Sequence, residues 1–135
     1  MPDITIRNPD VLAKPLGQYS QIARVKASEY LFIAGQLSID KSGNMIGADD
    51  FDAQCVQIFA NIEAALKSEG AGWANVVQFT TYLVHSQDIP KFMAYRKREF
   101  PRLFPNGVFP PNTLLMVDRL VAEPYLIEVQ ATAAL

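Results

Sequence analysis

The sequence has little of the chemistry on which several common classes of protein depend. With a single cysteine, Cys55, the chain cannot form a disulfide within itself. With a single histidine, His85, it gives no support for a histidine-based catalytic triad or a zinc site. The Gly-rich nucleotide-binding motifs are also missing. We therefore expect a chemistry that uses no metal and no cofactor.

Long apolar runs and an excess of positive charge are absent as well. No apolar run approaches the ~20 residues of a membrane helix, and residues 1–10 lack the apolar core of a signal peptide. The 12 basic and 14 acidic residues give a net charge of −2, whereas nucleic-acid-binding domains are normally basic. These absences predict a soluble cytoplasmic protein with no nucleic-acid or membrane partner.

The remaining composition indicates a small domain with more apolar surface than it can bury alone. A length of 135 residues predicts one domain, residues 1–135. Half of the residues (50%) are hydrophobic and only 19% are charged. Because a small monomer has much surface to solvate, this low charged fraction favours a homo-oligomer that buries further surface.

Hydrophobic periodicity predicts two helices and six strands. Apolar residues recur at three- and four-residue steps over 51–66, after Asp49 or Asp50 as N-cap. A second helix begins at Ser86 or Asp88. The strands are predicted at 3–7, 19–26, 30–34, 75–84, 112–118 and 125–133. Helices that follow strands and return to the sheet favour an α+β fold, with both helices on one face of a mixed sheet.

The last predicted strand carries the carboxylate of Glu128 on a mixed face. Side chains alternate along a strand. Four apolar residues therefore share the opposite face: Ile127, Val129, Ala131 and Ala133. Since the apolar face packs helices, the mixed face meets water or another subunit. Glu128 is then either a solvated residue on an open sheet or a functional carboxylate at an interface, and the strand alone favours the solvated residue.

Other chemistry-bearing residues have ordinary structural explanations. His85 is expected in an exposed loop and Cys55 in the core. The basic residues of the second helix are expected on a solvated outer face: Lys91, Arg96, Lys97, Arg98 and Arg102. Gly35 within a strand indicates a bulge or a close backbone approach, and Ile22 is expected to point inward, with Val25 as a second candidate. Tyr19, after a glycine, belongs either to a plain turn or to a loop that presents its phenol.

Five segments together resemble the RidA/YjgF family of reactive-intermediate deaminases. They follow one another at the spacing of that family, between residues 15 and 133. The segments are GQYSQ at 17–21, IAGQL at 33–37, NVVQFTTYL at 75–83, FPPNT at 109–113 and IEVQA at 127–131. The resemblance implies a chorismate-mutase-like α+β fold and a homotrimer, in which three sheets form a central barrel and three clefts lie between subunits.

The resemblance also implies an activity and the residues that carry it. Members of the family hydrolyse imine and enamine products of pyridoxal-phosphate enzymes to 2-oxo acids and ammonia. Glu128 matches the glutamate that positions or activates water, and Tyr19 matches the tyrosine of the glycine loop. The backbone of Gly35, which matches the family glycine, and that of Leu114 are expected to contact the ligand.

The chain departs from the family pattern at three positions. Asn112 stands where the family has the arginine that holds the substrate carboxylate, Ala34 replaces a serine, and Met93 replaces an asparagine. Arg119 lies a strand-length away and cannot substitute. Because an amide cannot make the bidentate charged contact of a guanidinium, the resemblance implies a C–N hydrolase (deaminase) with an altered substrate range. The alternative is a non-catalytic small-molecule-binding or regulatory trimer, and the acidic balance disfavours a ribonuclease.

Overall fold

The computed structural model describes residues 1–135 and contains the predicted six strands and two helices. The strands are β1 (Asp3–Arg7), β2 (Ile22–Lys26), β3 (Tyr30–Gln36), β4 (Val76–Leu83), β5 (Asn112–Met116) and β6 (Ile127–Ala134), and the helices are α1 (Phe51–Ser68) and α2 (Ile89–Leu103). β2 begins later than predicted because the backbone of Ser20 pairs with Pro111 instead. β6 begins later because Tyr125 closes a turn onto the Ala122 carbonyl.

The last strand, β6, lies inside a mixed four-stranded sheet of order β3-β6-β4-β5. It pairs antiparallel with β3 and β4, while β5 runs parallel to β4. β1 and β2 form a separate antiparallel ladder. The predicted alternation along β6 is confirmed, since its four apolar residues are at most 1% exposed: Ile127, Val129, Ala131 and Ala133.

Both helices pack into one core with the buried face of this sheet. The Asp50 carboxylate caps α1 by accepting a hydrogen bond from the Ala53 N–H at 3.0 Å. Phe59 of α1 lies 5.3 Å from the Tyr95 ring of α2 and 5.9 Å from the Phe79 ring of β4, measured between ring centroids. The opposite face of the sheet stays open, and Phe32 on that face is 81% exposed.

Two predictions of burial are wrong. Ile22 is 38% exposed, because the register of β2 against β1 turns Ala23 to the inner side, together with Val25, the second residue expected there. Arg96 is 2% exposed and does not belong to a solvated outer face. The predictions for His85, which is exposed, and Cys55, whose thiol has a raised pKa because it is buried, are confirmed. Neither helix is long and apolar enough to cross a membrane.

Candidate functional site

Glu128 lies on the face of β6 that points away from the helices. Its partner across the strand pair is Tyr82, whose hydroxyl donates to Gln130 Oε1 at 3.1 Å on the same face. The Glu128 side chain is half-buried, and desolvation raises the pKa of its carboxyl above the usual range. A carboxyl with a raised pKa exchanges a proton closer to neutral pH, as general acid–base chemistry requires.

Gly35 lies directly against this carboxylate. The pairing of β3 with β6 shifts register between Ile33 and Gln36, which is the predicted bulge. A Cβ placed on Gly35 would lie 2.7 Å from Oε1 and 2.9 Å from Cγ of Glu128, closer than side chains approach. Only glycine lets the carboxylate rest on the backbone here. We call Glu128, Gly35 and the exposed Ala34 beside it the carboxylate half-site.

Tyr19 belongs to a loop that packs on α2. Its hydroxyl accepts a hydrogen bond from the Leu16 N–H at 3.2 Å. The loop approaches the helix closely at Gly17, where a Cβ would lie 2.6 Å from Cε of Met93. The loop therefore brings Tyr19 and the half-buried Met93, two of the predicted ligand contacts, to the same side of the chain.

The side chain of Arg96, on α2, contacts this loop. Its guanidinium donates to the Gln18 carbonyl at 3.4 Å and to Met93 Sδ at 3.1 Å. It also lies over the rings of Phe92 and Tyr19, at 4.6 and 5.9 Å from their centroids. No carboxylate pairs with it, its Nε has no partner, and burial lowers its pKa to about 10. Arg96 is thus a buried cation whose contacts go to the loop and the neighbouring rings.

The burial of Arg96 can be predicted from its spacing relative to apolar residues of the helix, although the charges of the helix indicate a solvated face. Phe92, Arg96 and Phe100 follow one another at four-residue steps and so share one stripe of the helix. Both phenylalanines are buried, at 1% and 2% exposure. An arginine on an apolar stripe is better interpreted as a buried contact than as part of a solvated face.

Asn112 begins β5 next to the Tyr19 loop, because Ser20 pairs with Pro111. The buried Thr81 hydroxyl donates to Asn112 Oδ1 at 2.8 Å. Leu114 pairs with Thr81 and packs against the core. We call the four residues of this region the loop half-site: Tyr19, Met93, Asn112 and Leu114. Arg119 is not part of it, since its side chain contacts only its own turn.

The sheet separates the two half-sites within one copy of the chain. Leu114 pairs with Thr81 on the side that faces the helices, whereas Glu128 pairs with Tyr82 on the open side. A cavity of about 550 Å³ beside Tyr19 is lined by residues 8–20 and the loop around Phe109, and Glu128 is not among them. One copy therefore presents its two half-sites in different directions.

The family model for Endoribonuclease L-PSP matches residues 10–135. The chain belongs to this family. It is 35% identical over 120 residues to a RutC family protein of Pyrococcus horikoshii, covering 89% of each chain. It is 27% identical over 114 residues to the 2-iminobutanoate/2-iminopropanoate deaminase of Dermatophagoides farinae, covering 80% of this chain and 88% of that protein.

A solved structure extends the likeness to the fold. YyfB from Yersinia pestis, a protein of the conserved Rid family, superposes on this protein with a TM-score of 0.86, at 29% identity and over 98% of each chain. The resemblance to the RidA/YjgF family and the α+β fold with two helices on one face of a mixed sheet are therefore confirmed.

Proposed function

We propose that the protein is a RidA-like hydrolase that acts on reactive imines, enamines or related C–N compounds in clefts between copies of the chain. The observation that carries the proposal is a half-buried carboxylate with a raised pKa, held against a glycine bulge on an open sheet face. The likeness to a 2-iminobutanoate/2-iminopropanoate deaminase supports the reaction class.

The proposed reaction uses one carboxylate twice. Glu128 accepts a proton from water while the water oxygen attacks the imine carbon, and it passes that proton to the nitrogen to give a carbinolamine. It then moves the hydroxyl proton of the carbinolamine to the nitrogen, so that the C–N bond breaks, ammonia leaves and the carbonyl forms. Tyr19 orients the ligand, and the backbones of Gly35 and Leu114 contact it. Replacement of Glu128 by Gln, which keeps the shape but cannot take the proton, should abolish ammonia release.

A homotrimer would join the two half-sites. The open face of the sheet carries Glu128 together with the exposed rings of Tyr30 and Phe32, at 45% and 81% exposure. Packing three such faces into a central barrel would cover these rings and set the carboxylate half-site of one copy against the loop half-site of the next. Each cleft would then use residues from two copies.

Subunit mixing tests the shared cleft. Glu128→Gln and Tyr19→Ala each damage one half-site, so each homogeneous assembly should be inactive or nearly so. When the two variants are unfolded together and refolded, roughly a quarter of the clefts should combine two intact half-sites and recover activity. A mixture no more active than its parts would contradict a cleft built from two copies.

The substrate range should differ from that of arginine-containing members. Asn112, Ala34 and Met93 make the cleft less cationic and more apolar than the family pattern implies. Charged hydrogen bonds contribute about 1.5–3 kcal/mol each, and the loss of an arginine pair should weaken the binding of small 2-imino acids. We expect neutral or bulkier imines, carbamates or amides to be better substrates.

Ammonia release from 2-iminobutanoate, generated in situ, measures this difference. The wild-type protein should add little to the uncatalysed rate, and Asn112→Arg should raise it. A wild-type rate equal to that of an arginine-containing member would sink the proposed substrate range. No gain in the Asn112→Arg variant would show that the site is remodelled beyond this position.

The lack of a guanidinium at Asn112 also favours a second candidate, a trimer that binds a small molecule without turning it over and acts as a regulator. Glu128→Gln separates the two. Ligand binding that survives this change, in a protein whose wild type shows no turnover, would identify a binder.

A further inference from the structure

Thr81 is a polar side chain in an apolar part of the core. It is fully buried, and its neighbours along the same face of β4 are Phe79 and Leu83. Across the sheet its partners are Val129 on β6 and Leu114 on β5. A valine would fill the same volume without a hydroxyl, and a buried hydroxyl is costly unless it is hydrogen-bonded. The Thr81 hydroxyl therefore requires a hydrogen-bond partner inside the core.

That partner is the side chain of Asn112. The Thr81 hydroxyl donates to Asn112 Oδ1 at 2.8 Å, and the backbone just before Asn112 is fixed because the Phe79 N–H donates to the Pro111 carbonyl at 2.9 Å. A carboxamide has an acceptor end and a donor end. With its oxygen engaged, Asn112 directs its NH₂ group away from Thr81. This NH₂ group makes no hydrogen bond within the chain and is not buried from solvent.

None of the four residues of the loop half-site is a cation, and the exposed Lys14 lines the cavity beside Tyr19, whose lining does not include Asn112. Arg96, the charged residue packed beneath the Tyr19 loop, is 2% exposed and gives its hydrogen bonds to Gln18 and Met93. A carboxylate placed at the Asn112 amide would lose hydration without gaining a countercharge, whereas a carbonyl oxygen would lose much less.

We propose that Thr81 is a positioning residue that makes Asn112 a fixed, neutral hydrogen-bond donor. The loop half-site then selects ligands with an uncharged acceptor oxygen, such as the carbonyl of an amide, ester or carbamate, over ligands with a carboxylate at the same place. This inference rests on the proposed function only in taking the loop half-site as part of the ligand cleft.

Pyruvamide and pyruvate are suitable probes because they have nearly the same shape and differ in charge. Each is titrated into the wild-type protein and into two variants, Thr81→Val and Thr81→Ser, and its dissociation constant is measured by ligand-observed NMR. The wild type should bind pyruvamide more tightly than pyruvate. Thr81→Val, which keeps the shape of the side chain, should reduce this preference about tenfold, and Thr81→Ser should retain it.

Asn112→Leu provides the second arm. Leucine keeps the branched shape of the side chain and stays neutral but has no NH₂ to offer, so pyruvamide should bind about tenfold more weakly. In ¹⁵N-labelled wild type, the two side-chain amide protons of Asn112 should be well resolved and shift on addition of pyruvamide. In Thr81→Val they should move toward the values of a freely rotating amide.

Three results would overturn the inference. They are an unchanged ratio of dissociation constants in a folded Thr81→Val variant, an Asn112→Leu variant that binds pyruvamide as tightly as the wild type, and a wild type that binds neither probe. If Thr81→Val does not fold, Thr81→Ser and Asn112→Leu together decide the question. If the proposed hydrolase activity is wrong, Thr81→Val still reduces the preference for pyruvamide as expected, but no imine is hydrolysed. If imine is hydrolysed but Thr81→Val keeps the wild-type preference for pyruvamide, only the positioning role of Thr81 is refuted.

Discussion

The carboxylate half-site and the loop half-site are held by different kinds of structure. Glu128 stands on β6, which is hydrogen-bonded to a strand on each side, and Gly35 stands on one of those strands. The loop half-site joins a loop, one face of α2 and the edge strand β5 through single contacts, such as the 3.4 Å hydrogen bond from Arg96 to Gln18. The difference fits the proposed function, in which the proton-transfer group is held in place and the ligand-selecting side is adjustable.

The largest effect is expected from one added methyl group in the carboxylate half-site. In Gly35→Ala the new Cβ would lie 2.7 Å from Glu128 Oε1 and 2.9 Å from its Cγ, so the Glu128 side chain must turn away from its place over the bulge. A misplacement of about 1 Å in a catalytic group can cost about 100-fold in rate, and we expect a loss of ammonia release on that order. Gly72→Ala is the matched control, because a Cβ there meets nothing within 4 Å. Near-normal activity in Gly35→Ala would show that this half-site is not rigid.

Removal of the buried Arg96 guanidinium should destabilise only the loop half-site. Arg96→Met keeps the length of the side chain but loses the contacts to Gln18 and Tyr19, so amide hydrogen exchange over residues 14–20 should accelerate and ligand binding should weaken about tenfold. The free energy of unfolding should stay level or rise, because an unpaired buried charge is costly. Arg98→Met is the control, since Arg98 is half-exposed and pairs with Asp52 at 2.7 Å. If amide hydrogen exchange over residues 14–20 is unchanged in Arg96→Met, Arg96 does not stabilise the loop.

A methyl group added at Gly17, beside the loop half-site, should have a smaller effect than the one added at Gly35. In Gly17→Ala the Cβ would lie 2.6 Å from Met93 Cε, the free end of a flexible side chain that can rotate away. We expect ligand affinity to fall only a few-fold, and Met93→Ala in the same chain to restore part of it. An effect as large as that of Gly35→Ala would erase the contrast between the two half-sites.

The smallest effect concerns the pH dependence of stability. The raised pKa of Glu128 means that folding disfavours its charged form. This cost is absent below the pKa of the unfolded chain and develops as pH rises through the higher pKa of the folded one. Glu128→Gln should therefore raise the melting temperature by a few degrees at most at pH 7 and leave it unchanged near pH 4. A lower melting temperature at pH 7 would mean that the charged carboxylate has a stabilising partner.

Local patterns predicted the elements well because each has a strong apolar period. The α1 stripe, the Asp50 cap and the bulge at Gly35 all depend on near neighbours in the chain. Ile22 was placed on the wrong side because a strand of five residues alternates equally well in either sense, and its pairing with β1 decides. Arg96 was misplaced because its charge was given more weight than its spacing from Phe92.

The arrangement of the candidate site depends on the sheet order, which no local pattern contains. The strand alone favoured a solvated Glu128, and only the five-segment resemblance predicted a cleft there. Asn112 and Glu128 lie on opposite faces of the sheet because they pair with Phe79 and Tyr82 of β4, which are three residues apart and therefore point to opposite faces. The hydrogen bond from Thr81 to Asn112 likewise joins residues that are 31 positions apart.

In the proposed homotrimer, the exposed Phe32 ring would make the stability of the chain depend on its concentration. Phe32 and Tyr30 stand together on the edge strand β3, with ring centroids 6.4 Å apart. Because the proposed assembly covers both rings, its association free energy adds to that of folding, and the melting temperature should rise with protein concentration. A newly made copy, before it meets others, would expose an aromatic strand edge that invites aggregation, so fast assembly would also protect the protein.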